Sequence, residues 1–111
     1  MIASAKEKVS RGAKFMDEKA PGWASMIKLD EFYMANADHC VLGQVFPDKG
    51  YTNKLCEFAA QENPELENFN QQYSYGIYTL AQELGFSVSA ITSWETLEKH
   101  WIEEIKARLD S

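Results

Sequence analysis

Trp94, Leu97, Trp101, Ile105 and Leu109 recur at steps of three and four residues, a spacing that fits a helix with one apolar face and little else. Thr92-Ser93-Trp94-Glu95 stands at its start as a capping box, in which the threonine hydroxyl and the glutamate carboxylate satisfy orphan amides. Glu95 and Lys99, and Glu104 and Arg108, are spaced to pair on the opposite face. A second stripe, Tyr73, Ile77, Leu80 and Leu84, runs into Gly85-Phe86. This predicts a Schellman ending: glycine takes the left-handed position and Phe86 packs back on Leu80 or Ala81.

The rest of the chain reads in the same period. Ile2, Ala5, Val9, Gly12 or Ala13, Met16 and Ala20 predict a helix over 3–19, supported by Glu7 four residues before Arg11. Pro21 stops it, Gly22 turns the chain, and Trp23 can fold back on the helix. Two short turns are expected over 23–34, one through Ile27 and one from Asp30. Asn36 is then the N-cap of a helix over 37–46. Phe46-Pro47-Asp48-Lys49-Gly50 breaks the chain. Thr52 caps a helix over 53–61 with Leu55, Phe58 and Ala59 inward, and Asn63-Pro64 can open one further turn. Only 86–90, FSVSA, alternates like a strand, and it is too short to make a sheet. At 111 residues the expectation is one all-α domain, 1–111, of five or six short helices.

Asp38-His39-Cys40 brings together three residue types that build catalytic and metal sites. On a helix, neighbouring side chains point about 100° apart, so the three cannot converge on one atom. A one-helix metal site needs ligands three or four apart, and Leu42 and Gly43 offer none. Asp38 is therefore expected to favour a helix N-terminus, Cys40, Val41 and Val45 to be core, and Gln44 to tie helix to loop. A thiol enzyme at Cys40 with His100 as base, or a zinc site joining Cys40, Cys56 and the histidines, needs residues gathered by the fold. No phosphate-binding loop or nucleophile-elbow motif is present. The reading assigns no catalytic residue, no cofactor and no metal.

Charge is distributed unevenly. The net charge is −6, yet from Leu55 to Glu98 there is no Lys, Arg or His and there are seven acids. This argues against a direct nucleic-acid binder, which needs a basic footprint. No apolar run approaches the ~20 residues that span a bilayer. The N-terminal segment, charged from Lys6 onward, lacks the apolar stretch of a secretory signal, so a soluble cytosolic protein with reduced thiols is expected. Glu57, Glu62, Glu65 and Glu67, with the off-stripe Tyr75 and Tyr78, form the candidate partner-binding surface, because tyrosine-rich polar surface suits interface hot spots.

Two segments carry a resemblance. RGAKFMDEKAPGW, Arg11 to Trp23, followed by CVLGQVF, Cys40 to Phe46, resembles a pattern in small uncharacterised proteins of phages, prophages and actinobacteria. There an RGA…LDE…PGW segment precedes CVLGQ and an aromatic residue, and a glycine-phenylalanine step precedes a tryptophan-bearing helix. Leu84-Gly85-Phe86 and Trp94 or Trp101 echo the later part, and 50–72 is more acidic and amide-rich than the pattern. The resemblance implies a phage or bacterial setting and supplies no catalytic residue.

The expected function is a small acidic protein of phage or mobile-element type that binds a host protein and inhibits or modulates it. A sharper form is an acidic face that imitates nucleic acid and blocks a nucleic-acid-binding defence enzyme. The alternatives are a small thiol- or metal-dependent enzyme centred on Cys40, and a homodimeric or larger structural or virion-accessory protein.

Overall fold

The computed structural model describes residues 4–62, 75–88 and 92–110, with backbone alone for 75–78. The described chain is all-α: α1 (Ala5–Lys19), α2 (Val41–Val45), α3 (Gly50–Glu62), α4 (Tyr75–Glu83) and α5 (Trp94–Leu109), with 3₁₀ turns at Trp23–Met26 and Leu29–Glu31. No strand occurs among the described residues. Phe86 and Ser87 form a bend and Val88 has no regular structure; the remainder of the FSVSA segment lies outside the described residues, as does the turn expected at Asn63-Pro64.

The helix ends follow local chemistry. Ser4 caps α1: its hydroxyl accepts from the Glu7 amide at 3.2 Å while Glu7 Oε1 accepts from the Ser4 amide at 3.5 Å. Glu7 is thus spent on a capping box rather than on Arg11. At the other end Gly22 takes φ +83°, and the chain reverses so that Trp23 Nε1 donates to Asp17 Oδ1 at 2.8 Å. The Schellman ending of α4 is complete: the Phe86 amide reaches the Ala81 carbonyl at 2.8 Å and the Gly85 amide the Gln82 carbonyl at 3.2 Å, with Gly85 at φ +72°.

Three boundaries differ from the sequence reading. The helix expected over 37–46 is shortened to Val41–Val45. Asn36 caps a tight turn instead: its Oδ1 accepts from Asp38 at 2.8 Å, and its carbonyl takes both the His39 and Cys40 amides. Helix α3 begins at Gly50, so Thr52 lies inside it rather than at its cap. Helix α5 is capped by Ser93, whose hydroxyl accepts from the Thr96 amide at 3.2 Å, one residue on from the expected Thr92–Glu95 box. Its buried apolar face is Leu97, Trp101 and Ile105, while Leu109 in the last turn is 47% exposed.

The core forms where α1 lies along α5. Trp101 is its centre: stacked on Phe86 at 5.4 Å, edge-on to Trp23 at 5.7 Å, and donating its indole N–H to the Gly85 carbonyl at 2.7 Å. Gly12 lets α1 press on the Leu84 carbonyl and Trp101, and Gly85 touches the Val9 backbone. A side chain at either glycine would part the helices. A second aromatic set, Phe15, Phe46 and Phe58, joins α1, α2 and α3, with Lys54 Nζ over the Phe46 and Phe58 rings at 4.4 and 5.0 Å.

Candidate functional site

Of the six residues expected to meet a partner, Glu57 and Glu62 are the two whose side chains are described. Glu57 and Glu62 both sit on α3, but five residues apart, and so about 140° around the helix. Glu57 is neutralised within the fold, with Lys49 Nζ at 2.7 Å and Lys54 Nζ at 3.4 Å. The hydrogen bond from Lys49 is the main reason its carboxyl lies below the usual glutamate range. Glu62 lies 3.8 Å from Lys19 Nζ. Glu65 and Glu67 lie outside the described residues, and Tyr75 and Tyr78 are placed by their α4 backbone only.

Asp38, His39 and Cys40 are drawn into a structural turn. Asp38 is exposed and stands ahead of α2 rather than on it, a correction to its expected place at a helix N-terminus. Cys40 is buried; its sulfur accepts from the Gly43 amide at 3.4 Å and faces the Ala37 carbonyl at 3.6 Å. Burial pushes the thiol above its ordinary value, which disfavours the nucleophilic thiolate. His100 Nδ1 lies 2.7 Å from Glu103 on its own helix. Among the described residues no three of His, Cys, Asp and Glu gather closely enough to share a metal ion. Gln44 joins separate segments: its oxygen accepts from the Lys28 amide at 2.7 Å, and its nitrogen donates to the His39 carbonyl at 2.9 Å.

The described surface has a different concave feature. An apolar cleft of about 360 Å³ opens between the 34–40 loop, α3, α4 and the start of α5, with Met34, Cys40, Tyr51, Leu55, Ala81 and Trp94 in its walls. Across Ala35 and Trp94 it adjoins a second hollow of about 450 Å³ bordered by Tyr33, Ser93, Glu95 and Glu98. The loop is held by Glu98, whose Oε1 accepts from the Met34 amide at 2.9 Å. That bond fixes the wall between the two hollows. The sequence reading missed this feature. The available signal was Trp94 with Glu95 and Glu98 on the first turn of a strongly patterned helix, where an aromatic ring and two acids lie within one turn.

The expected pairing of Glu104 with Arg108 forms, and it belongs to a wider, partly exposed cluster with Asp17 and Trp23 that the sequence did not indicate. Arg108 donates from Nε and Nη2 to the two Asp17 oxygens at 2.9 and 2.8 Å, from Nη1 to Glu104 Oε1 at 2.8 Å, and lies 5.5 Å from the Trp23 ring. It clamps the end of α1 to the end of α5. The bond from Arg108 holds the Asp17 carboxyl below the usual aspartate range.

Comparison of the chain with protein-family models, with curated proteins and with solved structures finds no match. No helix among the described residues is long and apolar enough to cross a membrane.

Proposed function

We propose that this chain is a small acidic protein-binding module of phage or mobile-element type that docks on a host protein in the bacterial cytoplasm and modulates or inhibits it. The observation that carries the reading is the segregation of charge: seven acids and no base between Leu55 and Glu98, in a chain of net charge −6. Clustered negative charge steers encounter with a basic surface and suppresses other partners. A nucleic-acid-binding defence enzyme is the sharper form of the target, since its groove carries the complementary charge. Glu57 pairs with Lys49 and Lys54, and Glu62 lies 3.8 Å from Lys19, so part of the charge of both is balanced within the fold.

The test is capture of a partner from bacterial lysate by the tagged chain at low and moderate salt, beside a variant carrying Glu62→Lys, Glu65→Lys and Glu67→Lys. The expected result is one dominant protein, weakened as salt rises and lost with the variant. Capture unchanged by both salt and charge reversal would overturn the electrostatic reading.

A further inference from the structure

We infer that the double hollow beside Trp94 is a docking groove for a partner segment that combines an apolar side chain with a neighbouring lysine or arginine. The inference rests on the protein-binding reading and gives that partner a chemistry.

The inner cleft is the right size for an apolar anchor. Its volume of about 360 Å³ exceeds any single side chain, and its walls are mostly carbon, from Met34, Leu55, Ala81 and the Trp94 ring. Cys40 adds no reactive group there, because its sulfur is already engaged with Gly43 and Ala37. The outer hollow has the opposite character: its border holds two aromatic rings, Tyr33 and Trp94, and two carboxylates, Glu95 and Glu98. Tyr33 is among the few large apolar-bodied side chains that stand more than half exposed, at 56%. None of the described residues lining either hollow is Lys, Arg or His. Aromatic faces beside carboxylates suit an ammonium or guanidinium group, through ring quadrupole and charge together. Because Ala35 and Trp94 border both hollows, one short segment can fill the inner cleft and lay its cation in the outer one. A neutral or acidic segment would leave the carboxylates facing no opposite charge.

The rim is also held in place before any partner arrives. Glu98 Oε1 fixes the 34–40 loop through the Met34 amide, and Ser93 caps the helix that carries Trp94. Preorganised walls reduce the ordering cost of binding.

The test uses the whole ¹⁵N-labelled chain and four capped probe peptides: Leu-Lys-Lys-Leu, Leu-Glu-Glu-Leu, Ser-Lys-Lys-Ser and Leu-Ser-Ser-Leu. Each is titrated to about 5 mM, since a short segment is expected to bind weakly. Saturable amide shifts at Ala35, Ala37, Thr52 and Ser87, together with the Trp94 indole, are expected with Leu-Lys-Lys-Leu. Apparent affinity should fall about tenfold or more with each of the other three. It should fall likewise for Leu-Lys-Lys-Leu on Ala35→Trp, which fills the junction, and on Glu95→Lys, which reverses the rim. Both positions are exposed, and spectral dispersion reports that the variants fold. No shift at the groove with any peptide would overturn the inference. So would equal binding of the acidic or uncharged peptide, which would assign the cleft to apolar groups alone, or equal binding of the peptide without leucine. Capture from lysate separates the two readings. A host protein held equally by wild type, Ala35→Trp and Glu95→Lys removes the groove and leaves the protein-binding reading standing. Peptide binding without any captured host protein leaves the groove and removes the host-protein reading.

Discussion

Asp17 and Arg108 show how a single charge pair holds two helix ends. Asparagine at position 17 keeps an oxygen for the Trp23 indole but loses the charge that Arg108 binds through two nitrogens. The pair is partly exposed, so Asp17→Asn is expected to cost only about 0.5–1 kcal/mol near neutral pH. The Asp17 carboxyl is depressed in the folded chain, chiefly by its bond to Arg108. Its contribution is therefore present above the unfolded aspartate value of about 3.9 and is lost as pH falls through the lower folded value. Urea melts of both proteins from pH 7 to pH 2.5 should converge at the acid end; a gap that persists there would place the effect elsewhere. Cysteine chemistry is settled at the same scale. Cys40 is buried and bonded, whereas Cys56 is only half-buried. A thiol reagent should modify Cys56 first and Cys40 more slowly by about an order of magnitude or more, with mild denaturant removing the difference. Fast labelling of Cys40 in Cys56→Ser would contradict the packing described.

At the scale of the element, the start of α5 turns on one hydroxyl. Ser93→Ala should destabilise by about 1 kcal/mol in urea denaturation, and Thr92→Ala by less, because the Thr96 amide is satisfied by Ser93. The reverse order would restore the Thr92–Glu95 box. This one-residue shift illustrates what the sequence leaves ambiguous. The stripe Leu97, Trp101, Ile105 follows from helix periodicity, as do the inward Leu55, Phe58 and Ala59 of α3. The glycine ending of α4 follows from backbone sterics. Adjacent Thr92 and Ser93 offer nearly the same capping chemistry, so which one serves depends on how the helix seats on the core. The late start of α2 has a similar origin. Asn36 competes locally for amides, and Gly43 presses against the Ala37 carbonyl, a contact set by the turn rather than by period. The Trp94 groove escaped sequence reading because its walls come from four separate segments. Arg108 and Asp17 meet across 91 positions, a distance no local pattern encodes.

For the molecule as a whole, the charge map and the packing map divide the chain differently. The acidic excess lies between Leu55 and Glu98, whereas the core draws on both sides of that boundary: Val9, Met16, Trp101 and Ile105 from outside it, and Leu55, Phe58, Ala81, Phe86 and Leu97 from within. Partner binding and fold stability should therefore respond to separate substitutions. The Glu62, Glu65 and Glu67 reversals are expected to shift Tm by no more than about 4 °C while removing capture. A collapse of the fold in that variant would mean that the acids are structural.

The pairing of α1 with α5 also sets a clock on biosynthesis. Helix α1 lacks its main packing partner until Trp101 and Ile105 have been made, because α5 is the element it lies along. At about 5–20 residues per second, the first helix leaves the ribosome several seconds before its neighbour exists. During that interval its apolar face is available to chaperones and proteases. A chain halted after α4 would stay in that vulnerable state, so completion of the last helix is the event that makes the molecule durable.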